Sequence, residues 1–292
     1  MSAEIEIQII AVLTAASCAI PGVFLVLRKM SMVSDSITHT ILLGIVLAFF
    51  IVNDLSSPFL LIGAAVMGPV TVWLTETLTK TRLLSEDSAT GMVFPLLFSI
   101  AVILITKYAG TAHLDTDSVL LGELAFAPFD RLMINGADMG AKGIYVSGVL
   151  LLINIVFTAV FYKELLIVSF DPVLAAVMGF SPAILHYSLM TTASLTAVGA
   201  FEAVGSVLVT AFMIAPAAAA YLLTDNLKKM LVIAVGIGGI SGILGYRTAV
   251  FLQVSIAGSM ACWCGIFFLG AFMYSCGVKK IKKFRLKMKI LP

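Results

Sequence analysis

"IQIIAVLTAASCAIPGVFLVL", residues 7–27, runs 21 residues without a charged side chain. A helix rises about 1.5 Å per residue, so roughly 20 such residues cross the hydrocarbon core of a bilayer. Similar stretches recur, as in "LVIAVGIGGISGILG" at 231–245. Across 292 residues the chain is 61% apolar and 12% charged, with a mean hydropathy of +1.11. A water-soluble domain of that size could not hide so much apolar surface. A β-barrel would need alternating segments of about 10 residues, and none is seen. The chain therefore reads as all-α, a polytopic transmembrane helical bundle. Its opening, "MSAEIEIQII", lacks the positive n-region of a cleavable signal peptide, so the first apolar segment is expected to stay as the first span.

Apolar runs broken by charged or Gly/Pro clusters predict about nine spans: 7–27, 37–53, 58–78, 91–108, 144–162, 182–200, 203–223, 229–247 and 252–276. Basic residues assign their sides. With the amino terminus outside and the carboxyl terminus cytoplasmic, 14 of the 18 Lys and Arg fall inside, leaving only Lys107, Arg131, Lys142 and Arg247 outside. The inverse orientation breaks the positive-inside rule. The basic tail 277–292, "GVKKIKKFRLKMKILP", is most simply an anchor at anionic lipid and not a nucleic-acid arm. The outer loop "GTAHLDTDSVLLGELAFAPFDRLMINGADMG" is acidic, with Asp115, Asp117 and Glu123. Its interrupted apolar stretch reads as a half-buried amphipathic segment, and the whole reads equally as an ordinary solvated loop or as a docking surface or cation-attracting vestibule.

Several function classes lack their signatures. No Gly-Lys dipeptide occurs, so the chain has no Walker A loop, and any ATP chemistry belongs to another chain. No His-Glu-x-x-His or credible Ser/His pairing supports an intramembrane enzyme. No internal repeat is evident, which weakens the common secondary-transporter architectures. Cys18, Cys262, Cys264 and Cys276 lie in or beside apolar segments and read as packing residues.

Chemistry concentrates in "SDSITHTILLG", residues 34–44. Asp35 and His39, at i and i+4, share a helix face, and carboxylate plus imidazole suits a divalent cation such as manganese, iron or zinc. The plainer reading makes Ser34 or Asp35 the cap of the second helix, with His39 satisfied by a carbonyl. Two ligands are too few to hold an ion, but a two-fold dimer would bring two copies together. Glu202 reads either as an acid at the entrance of a cation path or as an interfacial helix-start acid. In "FYKELLIVSFDPVLAAVMGFSP", 161–182, Asp171 and Pro172 predict the cap and first residue of a short amphipathic helix. That helix could dock in a partner's groove or lie against lipid. His113 and His186 have no partner at ligand spacing and read as structural.

Four stretches, "SDSITHTILLGIVLAF", "SEDSATGMVFPLLFSI", "FYKELLIVSFDPVLAAVMGF" and "AVGSVLVTAFMIAPAAAAYLLTDNL", together resemble the ABC-3 membrane permeases of manganese, zinc and iron ABC importers. The likeness runs from about residue 10 to about 275. It implies a type II ABC importer permease, a single transmembrane domain over 1–292 with the basic cytoplasmic tail 277–292. It also implies residence in the bacterial cell membrane. The implied partners are two cytoplasmic ABC ATPases, an extracytoplasmic metal-binding protein and a second permease copy or paralogue. No permanently bound cofactor is implied; Mn²⁺, or else Zn²⁺ or Fe²⁺, is cargo. Asp35 and His39 match the metal-coordinating pair, and 163–180, with Lys163, Glu164, Phe170, Asp171, Pro172 and Gly179, matches the segment that contacts the ATPase. The outer loop looks more like the manganese/iron branch. The rival from another class is an ion-coupled secondary transporter, which would work without an ATPase.

Overall fold

The computed structural model describes residues 3–53, 57, 59–108, 124–134 and 137–290, the side chains of 133–139, 202 and 278–290 excepted. Its helices are α1 (Ala3–Leu27), α2 (Ser31–Val52), α3 (Phe59–Lys80), α4 (Glu86–Tyr108), α5 (Lys142–Val160), α6 (Tyr162–Phe170), α7 (Pro172–Val177), α8 (Pro182–Val204), α9 (Ser206–Leu223), α10 (Leu227–Leu252) and α11 (Ile256–Ile290). Among the described residues nine of these are long and apolar enough to cross a membrane, all but α6 and α7. The predicted spans are thus met, with α11 running on as helix into the basic tail.

Two differences from the sequence reading matter. The second helix begins at Ser31, not 37, and Met30 precedes it without a side-chain cap bond. Asp35 and His39 therefore lie inside the helix, and the capping explanation of Asp35 falls. The outer connection also contains a small antiparallel hairpin, β1 (Arg131–Ile134) against β2 (Ala137–Ala141), pairing Arg131 with Ala141 and Ile134 with Ala137. No alternation strong enough to announce it stands in so short a stretch.

α1 is the axis of the bundle. Ile10, Ala11, Ala15, Cys18, Val23, Phe24 and Leu25 are fully buried, and α5, α8, α9, α10 and the start of α2 pack around it. Small residues permit this, since helices in lipid gain by close backbone approach and not by escaping water. The tightest case joins α2 to α3. A Cβ on Gly44 would collide with the Gly63 carbonyl and the Met67 side chain. Thr71 adds a 2.9 Å hydrogen bond to Thr40 across the same seam. These contacts bind α2 and α3 into one hairpin. A buried amide, Asn154, likewise donates to Thr196 at 2.7 Å and joins α5 to α8. Prolines sit inside four spans (Pro21, Pro69, Pro95, Pro216), tolerated because neighbouring helices can satisfy the freed backbone groups.

Arg28, Lys29, Lys80, Arg82, Lys163, Lys228 and Lys229 flank the helices at one end of the bundle, here termed the basic end. The short helices α6 and α7 lie there. At the opposite end Glu6, buried near the start of α1, lies 3.8 Å from Arg131 and ties the hairpin down.

Candidate functional site

Three neighbours orient α2 around its axis. Ser34 donates to the Met213 sulfur at 2.9 Å and the Thr38 hydroxyl lies 3.3 Å from that of Thr210, both toward α9. Thr40 faces α3. The remaining face, with Leu42, Leu43 and Val46, packs on Val93, Leu97, Ala101 and Ile105 of α4. One helical turn nearer the basic end, the stripe changes from apolar to polar at His39 and Asp35.

The pair is preassembled. His39 Nε2 lies 3.7 Å from Asp35 Oδ1. The imidazole stacks on Phe94 (centroids 5.6 Å apart, 27° between planes) and meets the edge of Phe98 at 6.1 Å. Two α4 aromatics thus fix the ring plane while leaving the nitrogen edge toward the carboxylate. Roughly a third of each side chain remains accessible, 31% for His39 and 39% for Asp35, so the pair keeps an open side. A 3.7 Å gap between acceptor-capable atoms is loose for a hydrogen bond but leaves room for a cation between oxygen and nitrogen, each needing about 2.0–2.2 Å for zinc. Along the axis the pair lies about 6–12 Å from the start of α2, in the half of the span on the side of the basic end.

Among the described residues no three His, Cys, Asp or Glu gather into one metal-binding group. Within this chain the carboxylate of Asp35 and the imidazole of His39 stand as a pair. Glu202 lies near the end of α8, and its side chain is not among those described. Asp115, Asp117 and Glu123 lie outside the described residues.

The segment 161–182 folds as its residues predict locally. Asp171 Oδ1 accepts from the backbone of Val173 at 3.1 Å and Leu174 at 2.9 Å, capping α7, and Pro172 opens it. The chain leaves α7 through Gly179 at φ +87°, a left-handed turn that a side chain would resist. Val168, Ala175 and Leu185 form a small core beneath it. Phe170, Val173, Leu174, Val177 and Met178 stay exposed at 63%, 73%, 49%, 81% and 54%. Lys163 is exposed and Glu164 partly buried, both lining a cavity of about 870 Å³ between α1, α5, α6 and α10.

One constellation escaped the sequence reading. His186, read as a structural residue without a partner, has its Nε2 2.9 Å from Glu76 Oε1 of α3. Tyr187 donates to Glu76 Oε2 at 2.9 Å, and Lys80 Nζ lies 3.7 Å from the same oxygen. Arg28 approaches His186 Nδ1 at 3.4 Å through a terminal nitrogen, and its Nε donates to Ser169 of α6 at 3.2 Å. Arginine only donates, so Nδ1 must accept and the proton of the neutral ring lies on Nε2, toward Glu76. Nε2 is thus buried against the Glu76 carboxylate at 2.9 Å without a well-directed hydrogen bond. Burial pulls the Arg28 guanidinium down to about 10, so it stays charged at neutral pH. The only local hint was Glu76 itself, an acid four residues before the end of a span.

Nine apolar helices among the described residues, a polar pair opening sideways from one of them and exposed apolar side chains at the basic end together describe a multi-pass membrane protein. The chain belongs to the ABC 3 transport family, whose profile matches residues 5–275. It is 43% identical over 275 residues, 94% of this chain and 93% of the relative, to the manganese transport system membrane protein MntD of Bacillus subtilis (strain 168). It is 46% identical over 274 residues, 92% of this chain and 73% of the relative, to the zinc transport system membrane protein TroD of Treponema pallidum (strain Nichols). Its fold matches that of PsaBC from Streptococcus pneumoniae in complex with Fab, at a TM-score of 0.76 and 27% identity over 93% of this chain and 91% of that one.

Proposed function

We propose that this chain is the permease subunit of an ABC-type importer that carries Mn²⁺ into the cytoplasm, driven by ATP hydrolysis on a separate subunit. The observation that carries the reading is the Asp35–His39 pair: two divalent-metal ligands, one turn apart, clamped by Phe94 and left open on one side. Ionisable groups in membrane helices are costly and mark pathways. Two permease copies, identical or paralogous, would meet at their open sides and enclose the ion with two carboxylates and two imidazoles. The basic end faces the cytoplasm by the positive-inside rule, and the exposed Phe170, Val173 and Val177 dock on an ATPase there. Delivery comes from an extracytoplasmic metal-binding protein. Zn²⁺ is the second reading, favoured by the likeness to a zinc system at the higher identity.

The test is uptake of ⁵⁴Mn²⁺ and ⁶⁵Zn²⁺ by cells or vesicles holding permease, ATPase and binding protein. Asp35→Ala and His39→Ala should each abolish ATP-driven uptake of the cargo ion while the complex still assembles; transport intact in both would remove the assignment. Uptake by the permease alone would favour an ion-coupled carrier.

A further inference from the structure

The Arg28–His186–Glu76 constellation links four helices that are far apart in sequence. Arg28 closes α1, Ser169 ends α6, His186 and Tyr187 open α8, and Glu76 lies on α3. The same groups line a cavity of about 400 Å³ whose other walls include Val168 and Pro172, the junction of α6 and α7. On its far side Glu76 belongs to the helix that packs through Gly63 and Thr71 on α2, the carrier of Asp35 and His39. The constellation therefore stands between the proposed ATPase-docking segment and the proposed metal-bearing hairpin, in contact with both.

We infer that Arg28, His186 and Glu76 form a mechanical relay that transmits displacement of α6–α7 to the α2/α3 hairpin, so that ATPase movement repositions Asp35 and His39. The inference rests on the importer reading above. Its physical basis is the bridging imidazole. The His186 ring sits 3.4 Å from an Arg28 nitrogen on one edge and 2.9 Å from a Glu76 oxygen on the other, so its place depends on α1, α3 and α8 together. A shift of α6 is carried to Arg28 through Ser169, from Arg28 to His186 across the 3.4 Å contact, and from His186 to Glu76 on α3. These are positioning residues; none is placed against the ion.

The experiment measures Mn²⁺ transported per ATP hydrolysed by the reconstituted complex of permease, ATPase and binding protein. In His186→Ala, ATP hydrolysis should persist while the ratio falls at least about tenfold, within the usual range of coupling between linked sites. His186→Gln should restore it to within about twofold, because the amide can accept from Arg28 and donate to Glu76. Tyr187→Phe, which removes a single donor to Glu76, should give a smaller fall and serves if His186→Ala does not assemble. An unchanged ratio in the alanine variant, or in Tyr187→Phe where that stands in, overturns the relay. So does a joint loss of hydrolysis and uptake that glutamine fails to rescue. Absence of ATP-driven uptake in the wild-type complex would remove the importer reading and the relay with it, whereas an unchanged ratio in an active complex removes the relay alone.

Discussion

His39 carries a carboxylate on one edge and an aromatic face on the other. The Phe94 stack and the Phe98 edge fix the ring before any ion arrives. Aromatic contacts of this kind contribute about 0.5–1.5 kcal/mol beyond area burial. Phe94→Ala should therefore weaken cargo binding several-fold without removing a ligand, visible as a raised half-saturating Mn²⁺ concentration in uptake assays. Its signature differs from His39→Ala, which should lose uptake at every concentration. Gly44 is decisive for another reason. Any side chain there meets the Gly63 carbonyl, and overpacking of a close seam costs about 1–3 kcal/mol. Gly44→Val should lower the thermal midpoint of the detergent-solubilised protein and separate α2 from α3. The i, i+4 pair of Asp35 and His39 was legible in the sequence, because residues one turn apart share a face whatever surrounds them. The His186–Glu76 pair was not, because its contact joins two helices that no local pattern brings together.

Among the elements, α7 shows how little chain is needed to present an exposed apolar face. Six residues, an Asp cap, a leading Pro and a closing Gly suffice once Ala175 and Val168 anchor them on Leu185. The cap bonds of Asp171 are the part most open to test. Asp171→Ala should cost the short helix about 1 kcal/mol, reduce co-purification of the ATPase and leave cargo binding untouched. The second helix teaches the opposite lesson about boundaries. Its polar opening, "SMVSDSITHT", hid the six helical residues 31–36 from a reading based on hydropathy, and with them the fact that Asp35 is not a cap. Polar residues extend a helix readily where neighbours satisfy them, as Met213 and Thr210 do for Ser34 and Thr38. The β1–β2 hairpin was likewise illegible. Its few residues are held by backbone pairing and by the Arg131–Glu6 contact, neither of which leaves a periodic trace.

For the whole molecule, the open side of the Asp35–His39 pair is the central fact. One chain supplies too few ligands for a held ion, so the working transporter is expected to bind one cargo ion per two permease chains. Isothermal titration of the assembled pair against a monomer-trapped form should show that stoichiometry and a much weaker monomer site; a full-affinity site in the monomer would contradict it. The two ends of the bundle also differ in character. Around the basic end lie the relay, the short helices and the cation-rich flanks, while the opposite end carries the hairpin and the Glu6–Arg131 tie.

By itself the sequence determined that the chain spans a membrane about nine times, which stretches do so, and that a carboxylate and an imidazole share one turn of the second helix. Hydropathy and helical periodicity act over a few residues to about twenty, and so they survive without knowledge of neighbours. Only the tertiary structure decided which face of α2 those two side chains occupy, that aromatic rings hold the histidine, and that Arg28, Glu76 and His186 meet. Such meetings depend on how helices rotate and pack against one another, a choice spread over small residues and hydroxyls along every seam and written in no single stretch of the chain.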